Sequence, residues 1–209
     1  MVVDRHQGLR LRTAKLAAAA TALKYQSGRN SPFSLVFMTD QARVTHPELI
    51  ARILPKGAAV ILRDYDLPQR AALARRLSII CKARGISLLI AGNPDLAIAV
   101  DASGVHRPRW STLTKADLPV RFLLTASCHN KNELTEAEKI GADLAILSPA
   151  FETRSHPDGN VLGARGFKAI AENASIPIIA LGGVTAVNAN QLTGPNVVGL
   201  AAIGAFWGD

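Results

Sequence analysis

A compact (β/α)8 barrel is predicted by three features of this chain: eight short runs rich in Val, Ile and Leu, helix-forming segments between them, and a glycine pair that ends the seventh run. Apolar runs of this length suit parallel strands buried on both faces, and the intervening segments supply the covering helices. The eight runs are Ser34–Met38, Ala58–Arg63, Ser87–Ala91, Gly104–His106, Arg121–Thr125, Leu144–Leu147, Ile176–Leu181 and Val197–Ile203. Helices are expected over Pro47–Leu54, Pro68–Ala83, Lys131–Ile140, Gly166–Glu172 and Ala186–Leu192. A barrel of this kind usually takes ~250 residues, so 209 residues make a small one. A doubly wound sheet is the runner-up fold.

Two segments flank the repeat. Residues 1–33 form a basic extension in which Arg5, Arg10, Arg12, Lys15, Lys24 and Arg29 outweigh Asp4. Within it Gly8–Tyr25, with its alanine-rich stretch Ala14–Ala22, predicts an added helix on the barrel end. The barrel domain is then 34–209, and after the last run only Gly204–Asp209 remain. The eighth helix is therefore expected to be missing or a stub. Either the N-terminal helix or a partner subunit would cover the apolar surface so exposed, which makes a homodimer an open expectation.

Bulk composition bounds the function. Hydrophobic residues make up 48% and charged residues 19%, a globular mixture. No apolar run reaches the ~20 residues of a bilayer span, and the first residues lack the order of a signal peptide, so a cytoplasmic protein without membrane contact is expected. Cys81 and Cys128 have no paired spacing and are expected to be buried free thiols. A net charge of +8 fits an anionic partner. With no interleaved aromatics in the basic segment, a solvated basic helix is preferred to a nucleic-acid arm.

The catalytic face of such a barrel lies at the C-terminal strand ends. There the run Pro177–Ala180 leads into Gly182-Gly183, and Ala201-Ala-Ile203-Gly204 ends the next strand. Glycines let backbone N–H groups approach a phosphate, and a helix following them would add its N-terminus. The bland alternative is a tight turn without a ligand. Arg63 at the end of the second run suits an anion, although an ion pair with Asp64 or Asp66 would also explain it. The long loop from Ser148 carries Thr153, Arg154, Ser155 and His156, either an anion clamp or a solvated polar loop. His106 and His129 at strand ends are candidate acids or bases, each also readable as a structural histidine. No His, Cys or carboxylate set has metal-ligand spacing.

In order and spacing, Pro177–Thr185 (PIIALGGVT), Gly141-Ala-Asp143 leading to Ser148-Pro-Ala-Phe151, Gly104-Val-His106 and Ala126-Ser-Cys-His129 resemble the thiamin phosphate synthases and related thiazole tautomerases. The resemblance spans Ser34 to Phe206. It implies a thiazole phosphate held on the backbone of Gly182, Gly183, Ile203 and Gly204. In the synthases, a hydroxymethylpyrimidine diphosphate ionises with the help of Mg2+, and the thiazole nitrogen attacks the resulting carbocation. The chain departs from that pattern where the diphosphate would bind. The motif Gln-x-Arg-x-Lys reads Ile61-Leu-Arg63-Asp-Tyr65, one magnesium aspartate matches Gly92, and the other matches Ser111. Thr153 and Ser155 match the family's hydroxyl pair, but the next lysine position reads His156; Arg107, Arg109 and Arg154 are candidate electrostatic substitutes.

The tautomerase branch implies His129 as acid/base, within Ser127-Cys-His129, and Arg63 on an anionic group; Phe151-Glu-Thr153 also resembles it. The first expectation is therefore a metal-independent, cofactor-free tautomerase-like enzyme acting on a small phosphorylated substrate. A divergent synthase using Mg2+ is the alternative. A non-catalytic phosphate-binding paralogue is the third reading.

Overall fold

Burial at every position of an apolar run leaves a strand no solvent face, and this condition selects the sheet. The computed structural model describes residues 2–153 and 161–208. Its strands are β1 (Leu35–Met38), β2 (Ala59–Leu62), β3 (Ser87–Ala91), β4 (Gly104–Arg107), β5 (Leu123–Cys128), β6 (Leu144–Leu147), β7 (Ile178–Ala180) and β8 (Val197–Ala202). Each pairs in parallel with the next, and β8 pairs with β1, so the sheet closes into a barrel. That last pairing rules out the doubly wound alternative. The period-two alternation of strand side chains divides the core into two layers. Val36, Met38, Ile61, Leu89, Ile146 and Ile179 fill the interior, while Phe37, Leu62, Ile90, Leu124 and Leu147 meet the helices outside.

The helices are α1 (Val2–Ser27), α2 (Pro47–Ala51), α3 (Arg70–Arg84), α4 (Pro94–Ala99), α5 (Lys131–Lys139) and α6 (Gly163–Ala171). The short α4 was not expected; its signal is Asn93, whose side chain accepts from the Leu96 N–H, followed by Pro94 at the first helical position. The helix expected over Ala186–Leu192 is instead a 3-10 turn, Ala189–Leu192. Local hydrogen bonds explain the difference. Asn188 accepts from the Thr185 N–H and donates to the Gly183 carbonyl, while Thr185 Oγ1 accepts from the N–H groups of Val187 and Asn188. Such bonds compete with a helix for the same backbone groups.

The expected position of α1 needs correction. It lies along the side of the barrel against β8, where an eighth helix would pack, and not across the barrel end. Leu9, Leu16, Ala20 and Leu23 form its buried stripe, spaced by threes, fours and sevens. The outer face of β8 presents Val197, Leu200 and Ala202 to the same apolar cluster. Among the described residues after β8 the one helical element is the 3-10 turn Gly204–Phe206, and α1 supplies the cover for β8. Its basic residues are not merely solvated. Arg12 Nε donates to the Phe206 carbonyl at 3.1 Å and Lys24 Nζ to the Ser31 carbonyl at 2.9 Å. Beyond the helix, Arg29 donates to Asn196 Oδ1 at 2.7 Å and to the Ser175 carbonyl at 2.8 Å. These cations satisfy acceptors that the strand ends and turns leave unpaired.

Candidate functional site

The extent of β5 decides how the mouth of the barrel is built. This strand runs to Cys128 and not to Thr125, so Ser127 belongs to the strand and turns inward beside Thr125. His106, from the neighbouring β4, is 1% exposed and lies between them. Its Nδ1 is 2.9 Å from Thr125 Oγ1 and its Nε2 is 2.8 Å from Ser127 Oγ. Burial, assisted by the charge of Arg63, lowers its pKa to about 3. The ring is therefore a neutral orienting group for Ser127 and not a proton shuttle near pH 7. The unfolded chain takes up this proton near pH 6.5, whereas the folded chain resists it down to about 3. Stability from this group is thus full above pH 6.5 and falls by about 1.4 kcal/mol per pH unit below it. Urea midpoints between pH 6 and pH 4 are expected to fall less steeply in His106→Gln than in the parent.

Arg63, at the end of β2, is paired, but with a partner across the barrel rim. Its Nη2 lies 2.7 Å from Asp40 Oδ2, after β1, and not on Asp64 or Asp66. Asp64 is engaged elsewhere, accepting from Thr39 Oγ1 and from the Gln41 N–H. The arginine side chain remains 35% exposed, so it can meet an anion from the open side. His129 follows β5 with 41% of its side chain exposed. Its Nδ1 is 2.7 Å from Glu133 Oε2, and Arg109 reaches the other Glu133 oxygen at 3.2 Å. Burial alone would raise the Glu133 carboxyl, but the hydrogen bonds from His129 and the nearby charges hold it below its usual range. With Nδ1 committed to the carboxylate, Nε2 is the nitrogen available for proton exchange. Glu133 was not among the expected residues; its signal is the i,i+4 spacing from His129.

The glycine pair lies across the mouth, after β7. Gly182 and Gly183 have φ of +89° and +62°, which disfavours any residue with a side chain. A Cβ on Gly183 would also overlap the carbonyl oxygen of Glu152, because the loop after β6 crosses directly over the pair. Among the described residues no carbonyl accepts from the N–H of Gly183 or Val184. Ile203 and Gly204 follow β8 beside them, and the 3-10 turn there begins at Gly204. A phosphate at this rim would be held by backbone N–H groups, since among the described residues no α-helix follows either strand to add its N-terminus. Thr153 is partly buried at the start of the long loop. Ser155 lies outside the described residues, as do Arg154 and His156. Cys81 and Cys128 are buried free thiols, with pKa values raised by burial to about 12, too high for a nucleophile.

A magnesium ion at the positions that the resemblance implies does not fit these residues. Gly92 has no carboxylate, and the space its Cβ would take is filled by the Trp110 ring, 2.9 Å away. Ser111 Oγ accepts from the Leu113 N–H at 3.2 Å. The nearby carboxylates Asp40, Asp64 and Glu133 already have partners. Among the described residues no group of three His, Cys, Asp or Glu side chains is placed to hold a metal. The aromatic group that occupies this corner, Trp110 with Tyr65, was not singled out from the sequence.

The sequence profile described as thiamine monophosphate synthase matches residues 35–206, all but the N-terminal helix and the extreme C-terminus. The chain belongs to the thiamine monophosphate synthase family. Among curated members of this family, it is 35% identical over 178 residues to a thiamine-phosphate synthase of Methanoculleus marisnigri, covering 79% of this chain and 82% of that protein. It is 31% identical to a thiamine-phosphate synthase of Chloroflexus aurantiacus, covering 77% of each. The solved structure of thiamine phosphate pyrophosphorylase from Pyrococcus furiosus superposes with a TM-score of 0.70 at 26% identity, over 84% of this chain and 87% of that one. These named relatives favour the synthase expectation over the tautomerase one. No helix among the described residues is long and apolar enough to cross a membrane.

Proposed function

We propose that this chain joins a thiazole phosphate to a hydroxymethylpyrimidine diphosphate. The observation that carries this reading is the family match over residues 35–206, with relatives named as synthases. The thiazole phosphate binds the N–H groups at Gly182, Gly183, Ile203 and Gly204. In the reaction, the bond from the pyrimidine methylene carbon to the diphosphate oxygen breaks and its electron pair leaves with the diphosphate. The thiazole nitrogen lone pair then forms the new C–N bond, giving a thiazolium and pyrophosphate, and no proton need move. Such a reaction depends on stabilising the departing negative charge. Arg63, Arg107 and Arg109 are the described cations at the ends of β2 and β4 suited to that task, and Ser127 and Thr153, with Ser155, supply hydroxyl donors.

A second reading is favoured by one specific feature, the His129–Glu133 pair. An imidazole with one nitrogen fixed on a carboxylate suits the proton relocation of a thiazole tautomerase. The two readings separate in one set of turnover assays. Product formation from both synthase substrates, reduced tenfold or more in Arg63→Ala and little changed in His129→Ala, is the expected result. Turnover of thiazole carboxylate phosphate alone, lost in His129→Ala, would replace the proposal with the tautomerase. Binding of thiazole phosphate without either turnover would leave a phosphate-binding paralogue.

A further inference from the structure

We infer that Trp110 and Tyr65 form a stacking subsite for the flat heteroaromatic ring of a diphosphate substrate, at the corner of the mouth where the family pattern places a metal carboxylate. The inference rests on the proposed synthase reading for the identity of the ligand, but its geometry stands apart from the thiazole phosphate rim. Trp110 follows β4 and Tyr65 follows β2, so both belong to the C-terminal face. Their rings meet edge to face, with centroids 5.7 Å apart and planes at 68°. The indole is 67% exposed, an unusual condition for the largest apolar side chain, and the Tyr65 side is 37% exposed.

The pair is exposed but not loose. The bare Cα of Gly92 lets the indole edge come down onto the end of β3, and Pro108 packs on the same spot. Arg70 lies over the Tyr65 ring, 5.6 Å from its centroid. That guanidinium is itself anchored, donating to the carbonyls of Leu62 and Ala91 at the ends of β2 and β3. The aromatic faces are thus held before any ligand arrives, so little ordering is left for binding to supply. An indole face attracts a planar ring through dispersion and its quadrupole, and accepts many heterocycles. The charge beside it selects the rest of the ligand. Arg63 and Arg70 both act electrostatically on Tyr65, and Arg107, the last residue of β4, has a buried Nε with no hydrogen-bond partner among the described residues. A flat ring carrying an anionic tail matches this combination, whereas a hydrated metal ion does not.

The experiment compares two probes, hydroxymethylpyrimidine diphosphate and inorganic pyrophosphate, by titration calorimetry on the full chain. The parent is expected to bind the ring-bearing probe at least tenfold more tightly than pyrophosphate, the size of one ring–aromatic stack. Trp110→Ala should bring the two affinities to within about twofold, and Trp110→Phe should retain most of the preference. No preference in the parent, or a preference unaltered in Trp110→Ala, would overturn the inference. Should Trp110→Ala fail to fold, Trp207→Phe leaves Trp110 as the sole tryptophan, whose emission is excited selectively. Quenching by the ring-bearing probe and not by pyrophosphate is then the supporting result, and equal or absent quenching the overturning one. Thiazole phosphate is titrated into the same proteins. Its failure to bind would sink the synthase reading without touching the ring preference, and the reverse pattern would sink only the stacking subsite.

Discussion

Gly183→Ala is expected to weaken thiazole phosphate binding about a hundredfold or more and to lower the stability of the barrel. The backbone at this position has φ +62°, where an alanine is strained by roughly 1–2 kcal/mol. The added methyl would also press into the Glu152 carbonyl, so the β6 loop must lift or the turn must rotate. Overpacking of this kind costs typically 1–3 kcal/mol more. Either movement redirects the Gly183 and Val184 N–H groups, which have no carbonyl partner of their own among the described residues. Titration with thiazole phosphate and a thermal melt of the same preparation check both parts. Unchanged affinity with an unchanged melting temperature would mean that the phosphate is held elsewhere.

Removing residues 1–30 is expected to leave a chain that does not accumulate as a folded monomer. The stripe of Leu9, Leu16, Ala20 and Leu23 is 4% exposed or less throughout. Its three leucines represent about 2 kcal/mol or more each in buried apolar surface. Their sum is comparable with the whole stability of an ordinary domain, roughly 5–15 kcal/mol. Truncation would also bare the outer face of β8. Size-exclusion chromatography and circular dichroism melts of the shortened chain test this, with Leu16→Ala as a milder step expected to cost about 2–5 kcal/mol. A shortened chain that melts like the parent would establish residues 31–209 as an independently folding unit.

The strands were legible because their signal is local and redundant. Leu144–Leu147 and Ser87–Ala91 are buried runs whose limits agree with those read from the sequence. The glycine pair was equally visible, since a strand running into two glycines announces a close backbone approach. What the sequence concealed depends on partners distant along the chain. Nothing near Arg63 indicates that Asp40, just after the adjacent strand β1, would take its charge in preference to Asp64. The extension of β5 to Cys128 rests on pairing with β6, and that pairing turns Ser127 inward towards His106. Tyr65 and Trp110 come from different loops with no shared period, so their contact exists only after the barrel closes. The helix expected over Ala186–Leu192 failed for the opposite reason, because the side chains of Thr185 and Asn188 compete for its backbone groups within a few residues.

The docking of α1 onto β8 sets the order in which this molecule can be completed. The helix ends at Ser27, whereas its berth begins at Val197, so β1 to β7 are all synthesised between the two. Until β8 is made, the leucine stripe therefore has no native surface to rest on, and β1 lacks one of its two neighbours. Contacts between such distant parts of a chain form slowly, and unfinished intermediates expose apolar surface. A nascent chain halted before β8 would lack that strand, and α1 would lack the face it covers. Closure of the ring thus waits for β8, with the first helix serving as the latch.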